Sequence, residues 1–214
     1  GTGLGKGLPR PDLPNLVFAP HYYHPVQFVT GIYDGSIDAI REGLSAWADK
    51  ASSFGVPLLL SEYGFRGYTE EGNPEVYLPD HYRVMDELLL HGTIWSHEIT
   101  STYWNNEDCA FVDGTWEERP DMADPLARPY PRFTSGAPVA FTYDPLDRSV
   151  EYRYVAEETC AAPTVLALPR RHYPAAPAVT LAFGTWEHVP ETGELQVFDG
   201  PGAAGSEQVV RVDP

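Results

Sequence analysis

Glu62 is the residue of this sequence that is best placed to do chemistry. It follows the apolar run 56–61 and precedes Tyr63-Gly64-Phe65. The run predicts a strand buried on both faces, and the carboxyl end of such a strand is where α/β barrels present side chains to a substrate. An acidic residue that only ends a strand and faces solvent would produce the same pattern. The position alone therefore leaves a catalytic and a structural interpretation open.

Two further predicted strands end in polar and aromatic side chains. His21 and Tyr23 follow the first of these strands, and the second ends in Trp104. Because the carboxyl ends of parallel strands converge on one rim, these three side chains could share a pocket with Glu62. The convergence of three strand ends favours the catalytic interpretation of Glu62.

Helices are predicted between these strands. Apolar residues recur at helical spacing from a cap at Ser36 to a stop at Gly55. The inward positions of this helix are Ile37, Ile40, Leu44, Trp47, Ala51 and Phe54. A second helix is predicted from a cap at Asp80 to a stop at Gly92. Its inward positions are Val84, Met85, Leu88 and Leu89.

The order of elements predicts an α/β architecture in the first part of the chain. Strands at 16–19, 56–61 and 99–104 alternate with the two helices. Right-handed crossovers would turn this order into a parallel sheet covered by helices.

After the proline-rich joint at 128–131 the helical period disappears and short strands take over. They are predicted at 139–143, 150–155, 164–168, 179–183, 195–198 and 208–212. Pro, Gly and Asp turns separate these strands, a spacing typical of an antiparallel sandwich. The sequence therefore predicts two domains, residues 1–130 and residues 131–214.

Composition excludes several functions. The chain has 214 residues, with 14 basic and 31 acidic side chains and a net charge of −17. Such a charge repels nucleic acids and anionic membranes. No run approaches the roughly 20 apolar residues of a membrane helix, and the N-terminus lacks a signal-peptide profile, so we expect a soluble chain without stable membrane insertion. Whether Cys109 and Cys160 form a disulfide is left open by their spacing.

The segments 19–23, 59–64, 101–104 and 128–131 together resemble the later part of glycoside hydrolase family 5, most closely the endoglycoceramidases. The resemblance implies the C-terminal part of a TIM (β/α)8 barrel, strands six to eight, followed by an all-β sandwich. It implies a secreted, retaining β-glycosidase that cuts the bond between an oligosaccharide and ceramide.

The resemblance also implies roles for single residues. Glu62 corresponds to the nucleophile, Tyr23 would hydrogen-bond to it, and His21 would contact the sugar. Substrate-binding roles fall on residues at or after the third predicted strand: Trp104, which would stack on the sugar, and Asn105 and Glu107, which could reach its hydroxyls.

A retaining mechanism needs two carboxyl groups about 5 Å apart, and no cofactor. In the family the second one, the acid/base glutamate, follows the fourth strand, which is earlier than this chain begins. A barrel of three strands also has open edges. We therefore expect the N-terminal portion of the same enzyme as a partner, and expect this segment alone to be inactive.

A zinc site is a competing interpretation of the histidines. His21 and His24 could bind a metal with Glu62, and His81, His91 and His97 add further histidines. Prolines on both sides place His21 and His24 in a loop without a convincing third ligand. We therefore expect no metal.

The nature of the substrate is open to several interpretations. A non-catalytic glycan or lipid module would use aromatic residues assigned to the sandwich: Trp116, Tyr173 and Trp186. Tyr152 and Tyr154 are expected to pack within a sheet. A soluble β-glucanase is the second enzymatic candidate. A ceramide substrate would need apolar walls, for which the residues after the first strand are candidates: Val26, Phe28, Val29, Ile32 and Tyr33.

Overall fold

The computed structural model describes residues 7, 9–99, 107–157, 160 and 162–214. The chain divides into two units between Leu126 and Ala127. The first unit is mixed α/β, and the second is built of β-strands. Within the described residues, no helix is long and apolar enough to cross a bilayer. Cys109 and Cys160 are free thiols.

The first unit is a parallel sheet with the strand order β1-β2-β3 and four helices. Its elements are β1 (His21–Tyr22), α1 (Pro25–Thr30), α2 (Ile37–Phe54), β2 (Leu59–Tyr63), a 3-10 turn (Glu70–Gly72), α3 (Pro74–Glu87), β3 (His91–Ile94) and α4 (Pro120–Leu126). The sequence did not predict the short helices α1 and α4.

Helix α2 matches its prediction. Its buried residues are Ile40, Leu44, Trp47 and Ala51. Gly55 ends the helix in the left-handed conformation (φ 63°), which glycine adopts without steric cost. Ser36 occupies the N-cap position but does not cap with its side chain, because its hydroxyl donates to Asp34 Oδ1 at 2.5 Å.

The first two strands lie further along the chain than predicted. Residues 16–19 contribute only a bridge from Phe18 to Leu58, and β1 follows at His21–Tyr22. Strand β2 runs over Leu59–Tyr63, so Glu62 lies inside the strand and not after it. Backbone pairing with the segment before β1 explains why β2 extends to Tyr63. The Pro20 carbonyl accepts a hydrogen bond from Ser61 N at 3.0 Å.

The bounds of the second helix were predicted wrongly, and β3 was not predicted. Helix α3 begins at Pro74, so Asp80 lies in its middle, where its carboxylate accepts a hydrogen bond from Tyr33. The helix ends before Gly92, which lies in β3. A Cβ on Gly92 would lie 2.9 Å from the Tyr63 ring. Because Gly92 has no side chain, β3 can pack closely against this ring. The third strand of the sheet is His91–Ile94, and residues 100–104 of the strand predicted at 99–104 lie outside the described residues.

The second unit is a sandwich of two antiparallel sheets, with strand orders β4-β7-β10-β9 and β5-β6-β11-β8. Its strands are β4 (Tyr130–Phe133), β5 (Gly136–Tyr143), β6 (Val150–Ala156), β7 (Thr164–Ala167), β8 (Ala178–Leu181), β9 (Thr185–Val189), β10 (Glu194–Phe198) and β11 (Glu207–Asp213). The six predicted strands are present. The unpredicted β4 and β9 are largely exposed edge strands and lack buried alternation.

Strand β6 shows why the sandwich was predictable. Its residues alternate between buried and half-buried, and Tyr152 and Tyr154 are fully buried in a core shared by both sheets. The expectation that these two tyrosines pack within the sheet is confirmed.

Candidate active site

Glu62 is held from two sides by the segment that contains β1. The register pairs His21 with Glu62 across the parallel strands. The Tyr23 hydroxyl donates a hydrogen bond to Glu62 Oε1, and His21 Nδ1 lies 3.4 Å from Glu62 Oε2. The Glu62 side chain is 23% exposed and that of His21 is 57% exposed. The structure thus brings together three residues that the sequence singled out, with the carboxylate still open to solvent.

Tyr23 serves as a fixed donor. Burial raises its pKa far above the ordinary value of 10.0, and the hydrogen bond to Glu62 and the charge of that carboxylate raise it further. The phenol therefore keeps its proton at neutral pH and can donate a hydrogen bond to the carboxylate. A carboxylate with one oxygen anchored in this way has a defined orientation, as a nucleophile requires.

Glu107 is bonded through its backbone to the first unit's loop after Glu62. Glu107 O accepts from Gly67 N at 2.6 Å, in the loop that follows β2. Burial, and next the charge of Glu107, raises the pKa of the Cys109 thiol to about 12. The charge of Glu107 also raises the pKa of Tyr23. Glu107 is therefore linked to the site by one backbone bond and by the effect of its charge on Tyr23.

Trp95 is the aromatic residue that directly follows the third strand. Its backbone N–H donates to Tyr63 O at 2.7 Å, and a Cβ on Gly64 would lie 2.2 Å from Trp95 O. The main chain of Trp95 therefore packs against the residues next to Glu62. The sequence-based interpretation assigned the aromatic residue after the third strand to Trp104, at the end of the strand predicted at 99–104. Trp104 and Asn105 lie outside the described residues.

Trp95 could have been found from the sequence. The run Leu88-Leu89-Leu90 precedes Thr93-Ile94-Trp95 by two residues. An apolar run that ends in an aromatic residue is as good a strand signal as 99–104. Assigning the leucines to the end of a helix concealed it.

The histidines have structural surroundings. His24 is buried, with Nε2 3.1 Å from Ser36 Oγ and Nδ1 accepting from Gln27 N at 3.3 Å. His81 is buried and stacks on Tyr63. His91 is exposed on β3, and His97 stacks on an aromatic ring. Among the described residues, no group of three or more His, Cys, Asp or Glu side chains could hold a metal ion.

The predicted apolar walls are only partly available. Val26, Val29 and Ile32 are exposed on and just after α1. Phe28 packs against the Tyr23 ring, with ring centroids 5.0 Å apart. Tyr33 is buried in the core and cannot line a groove.

The aromatic residues proposed for a binding module do not form one set. Trp116 belongs to the first unit and contacts His97. Tyr173 is buried in the sandwich core, whereas Trp186 is exposed on the edge strand β9.

Comparison with protein families assigns the second unit. The family model described as glycoside hydrolase family 5 C-terminal domain matches residues 128–212. The match covers nearly the whole of this unit. The resemblance to family 5 is thereby confirmed. No curated protein matches the sequence of the chain.

Solved structures share the fold over most of the chain. Sterylglucosidase 1 from Cryptococcus neoformans superimposes with a TM-score of 0.76 at 16% identity, covering 92% of this chain and 38% of that structure. Endo-glycoceramidase II from Rhodococcus sp. gives a TM-score of 0.72 at 21% identity, covering 96% of this chain and 44% of that structure. The same enzyme as a lactosyl-enzyme intermediate gives 0.71 at 21% identity, with 92% and 42% covered. The chain thus spans less than half the length of these structures.

Proposed function

We propose that this chain carries the nucleophile of a retaining β-glycosidase that acts on glycolipids, with Glu62 as the attacking group. The observation that carries the proposal is the arrangement at the carboxyl ends of β1 and β2. There the Tyr23 hydroxyl donates to one oxygen of Glu62, and His21 lies beside the other. The carboxylate is oriented, partly open to solvent and located where barrel enzymes bind substrates.

In this proposal β1, β2 and β3 are the sixth, seventh and eighth strands of a (β/α)8 barrel. The N-terminal portion of the same enzyme pairs with the outer edges of β1 and β3 and closes the barrel. That portion also contributes the acid/base glutamate. This chain covers 38% to 44% of the similar structures, which supports a separate N-terminal portion. The proposal includes secretion of the enzyme, which the family resemblance implies.

The reaction then proceeds by double displacement. Glu62 attacks the anomeric carbon while the acid/base glutamate protonates the leaving oxygen, and the glycosyl-enzyme ester is later hydrolysed by water. Tyr23 keeps the attacking oxygen in place, and His21 contacts the sugar. Trp95 takes the stacking role first assigned to Trp104. The lactosyl-enzyme intermediate of the Rhodococcus enzyme supports a covalent route on this fold.

The proposed leaving group is a lipid. The names of both similar enzymes combine a sugar with an apolar aglycone, ceramide in one and a sterol in the other. Val26, Val29 and Ile32 expose apolar surface on the segment that follows Tyr23. An oligosaccharide-linked ceramide is the first candidate substrate. A steryl glucoside is the second candidate, because the sterylglucosidase also superimposes on this chain, with a TM-score of 0.76.

Hydrolysis assays on the full-length enzyme test the proposal. The substrates are a fluorescent glycosphingolipid, a steryl glucoside and a soluble β-glucan oligosaccharide. Glu62→Gln is expected to lower kcat by about 10³-fold or more, as loss of a nucleophile does. Glu75→Gln changes an exposed glutamate in the first turn of α3 and serves as the matched control.

The outcomes separate the candidate functions. Hydrolysis of the glycan alone would replace the glycolipid by a soluble substrate. Binding without hydrolysis in both the wild type and Glu62→Gln would leave a non-catalytic module. Labelling with a 2-deoxy-2-fluoroglycoside should attach the sugar to Glu62, and mass spectrometry that finds the label on another residue would refute the nucleophile assignment.

A further inference from the structure

Gln27 ties helix α1 to the loop that follows Glu62. The Gln27 side chain is fully buried. Its Nε2 donates to Arg66 O at 2.7 Å, and its Oε1 accepts from Arg66 N at 3.3 Å. One amide side chain thus satisfies both backbone groups of Arg66, which is the pairing that a neighbouring strand would otherwise provide.

The Arg66 side chain returns to the same helix. Its Nη1 donates to Phe28 O at 2.7 Å, and its guanidinium lies 4.7 Å from the centre of the Phe28 ring. Phe28 in turn packs against Tyr23, with ring centroids 5.0 Å apart. Contacts therefore run without a break from Gln27 and Arg66 through Phe28 to the tyrosine that donates to Glu62.

Helix α1 needs such an anchor. It has only six residues, and a helix of that length is not stable without tertiary contacts. Val26 and Val29 on the same helix are exposed and do not hold it in the core. Gln27 is its buried residue, so the position of Phe28 depends on the bonds that Gln27 makes.

We propose that Gln27 and Arg66 are positioning residues, which hold Phe28 against Tyr23 so that the Tyr23 hydroxyl stays aimed at Glu62. This inference rests on the proposed role of Glu62 as nucleophile. Neither residue touches the carboxylate, and both act through Tyr23. Their loss should therefore lower the rate of the chemical step and leave substrate binding nearly intact.

The experiment measures kcat and KM of the full-length enzyme on the glycolipid that it hydrolyses. Gln27→Leu removes both bonds to Arg66 and is expected to lower kcat by about 10-fold to 100-fold, the effect of displacing a catalytic group by a fraction of an ångström. KM should change by less than about 2-fold, because uniform binding is retained.

Gln208→Leu is the matched control. Gln208 is also fully buried and also bonds to backbone groups, those of Ala182 and Phe183 in the sandwich. Its replacement should lower the melting temperature and leave kcat unchanged. If Gln27 contributed to stability alone, both variants would lower the melting temperature and leave kcat unchanged.

Tyr23→Phe provides the decisive readout. If Gln27 acts through Tyr23, Gln27→Leu should lower kcat much less in the Tyr23→Phe enzyme than in the wild type. Additive losses would overturn the proposal. Should Gln27→Leu fail to fold, Arg66→Lys takes its place, since it keeps the charge but loses the flat stacking on Phe28. Wild-type hydrolysis that Glu62→Gln abolishes keeps the proposed function intact even if the Gln27 and Arg66 variants retain full kcat.

Discussion

Two buried aromatic side chains, His81 in the first unit and Tyr154 in the sandwich, differ in how their polar atoms are bonded. In the first unit His81 is fully buried against Tyr63, and neither of its ring nitrogens has a hydrogen-bond partner among the described residues. In the sandwich the Tyr154 hydroxyl donates to Asp199 Oδ1 at 2.6 Å, and Gln208 Nε2 donates to the same oxygen at 3.1 Å. The sandwich core thus contains a closed polar network next to its aromatic rings.

The unpaired side chain lies near the candidate site, and the paired one lies in the sandwich. An unpaired buried polar group costs about 1–3 kcal/mol, which a fold retains where function needs the surrounding geometry. His81 stacks on Tyr63, the residue after Glu62. The Asp199 network lies in the unit that holds no candidate catalytic residue. The close packing at Gly64 and the buried His81 should therefore make the first unit more sensitive to substitution and to acid, and three predictions test that contrast.

The largest effect is expected from Gly64→Ala. A Cβ at this position would lie 2.2 Å from the Trp95 carbonyl oxygen, so a backbone segment of the site must move. We expect about 3 kcal/mol of destabilisation, as for a severe overpacking substitution, together with loss of hydrolysis. Denaturant unfolding and kcat measure the two effects.

The matched control for this substitution is Gly114→Ala in the same unit. A Cβ there would meet its nearest neighbour at 3.6 Å, which is an ordinary contact. Its effect on stability should stay within about 0.5 kcal/mol. Equal losses in the two variants would show that the close packing of Trp95 on Gly64 has no special cost.

The next effect is acid sensitivity of the first unit. Burial, with a smaller contribution from the charge of His24, lowers the pKa of His81 from 6.5 to about 3. Because the unfolded chain binds this proton more readily, the stability is fully present above pH 6.5 and is lost as the pH falls towards 3. The slope is up to about 1.4 kcal/mol per pH unit, or about 2 kcal/mol by pH 5.

His81→Phe should flatten this slope while keeping the stacking on Tyr63. Some acid sensitivity should remain, since burial also lowers the pKa of His24. Amide hydrogen exchange between pH 5 and 8 measures the stability of each unit in the same sample. Amides of β6 in the sandwich serve as the internal control and should respond equally in both proteins. An unchanged slope at α3 would contradict the assignment to His81.

The smallest effect distinguishes two tyrosines on β6. Tyr154→Phe deprives the Asp199 carboxylate of a buried donor and should cost about 2 kcal/mol. Tyr152→Phe removes only a bond with the Thr134 hydroxyl and should cost about 1 kcal/mol. Both tyrosines are fully buried on the same strand, so their apolar packing is matched. Thermal unfolding of the sandwich measures both, and the reverse order would show that Asp199 does not anchor the network.

The two units also differ in how well their strands could be predicted from the sequence. Antiparallel strands such as β6 alternate buried and half-buried residues, so the period of two is visible locally. The parallel strands β1 and β3 have two and four residues and carry little local pattern. Asp80 was predicted to cap a helix, yet α3 continues through Pro79, and Leu78 and His81 on either side of this proline are buried.

The sequence by itself determined which residue types the site uses. A carboxylate in an apolar strand, with a histidine and a tyrosine after a preceding strand, indicated Glu62, His21 and Tyr23 without coordinates. Only the tertiary structure decided that Glu62 lies within β2, that Trp95 follows the third strand, and that Gln27 supports Tyr23 through Arg66 and Phe28. Each of these depends on backbone pairing or ring contact between segments distant in sequence, which no local period encodes.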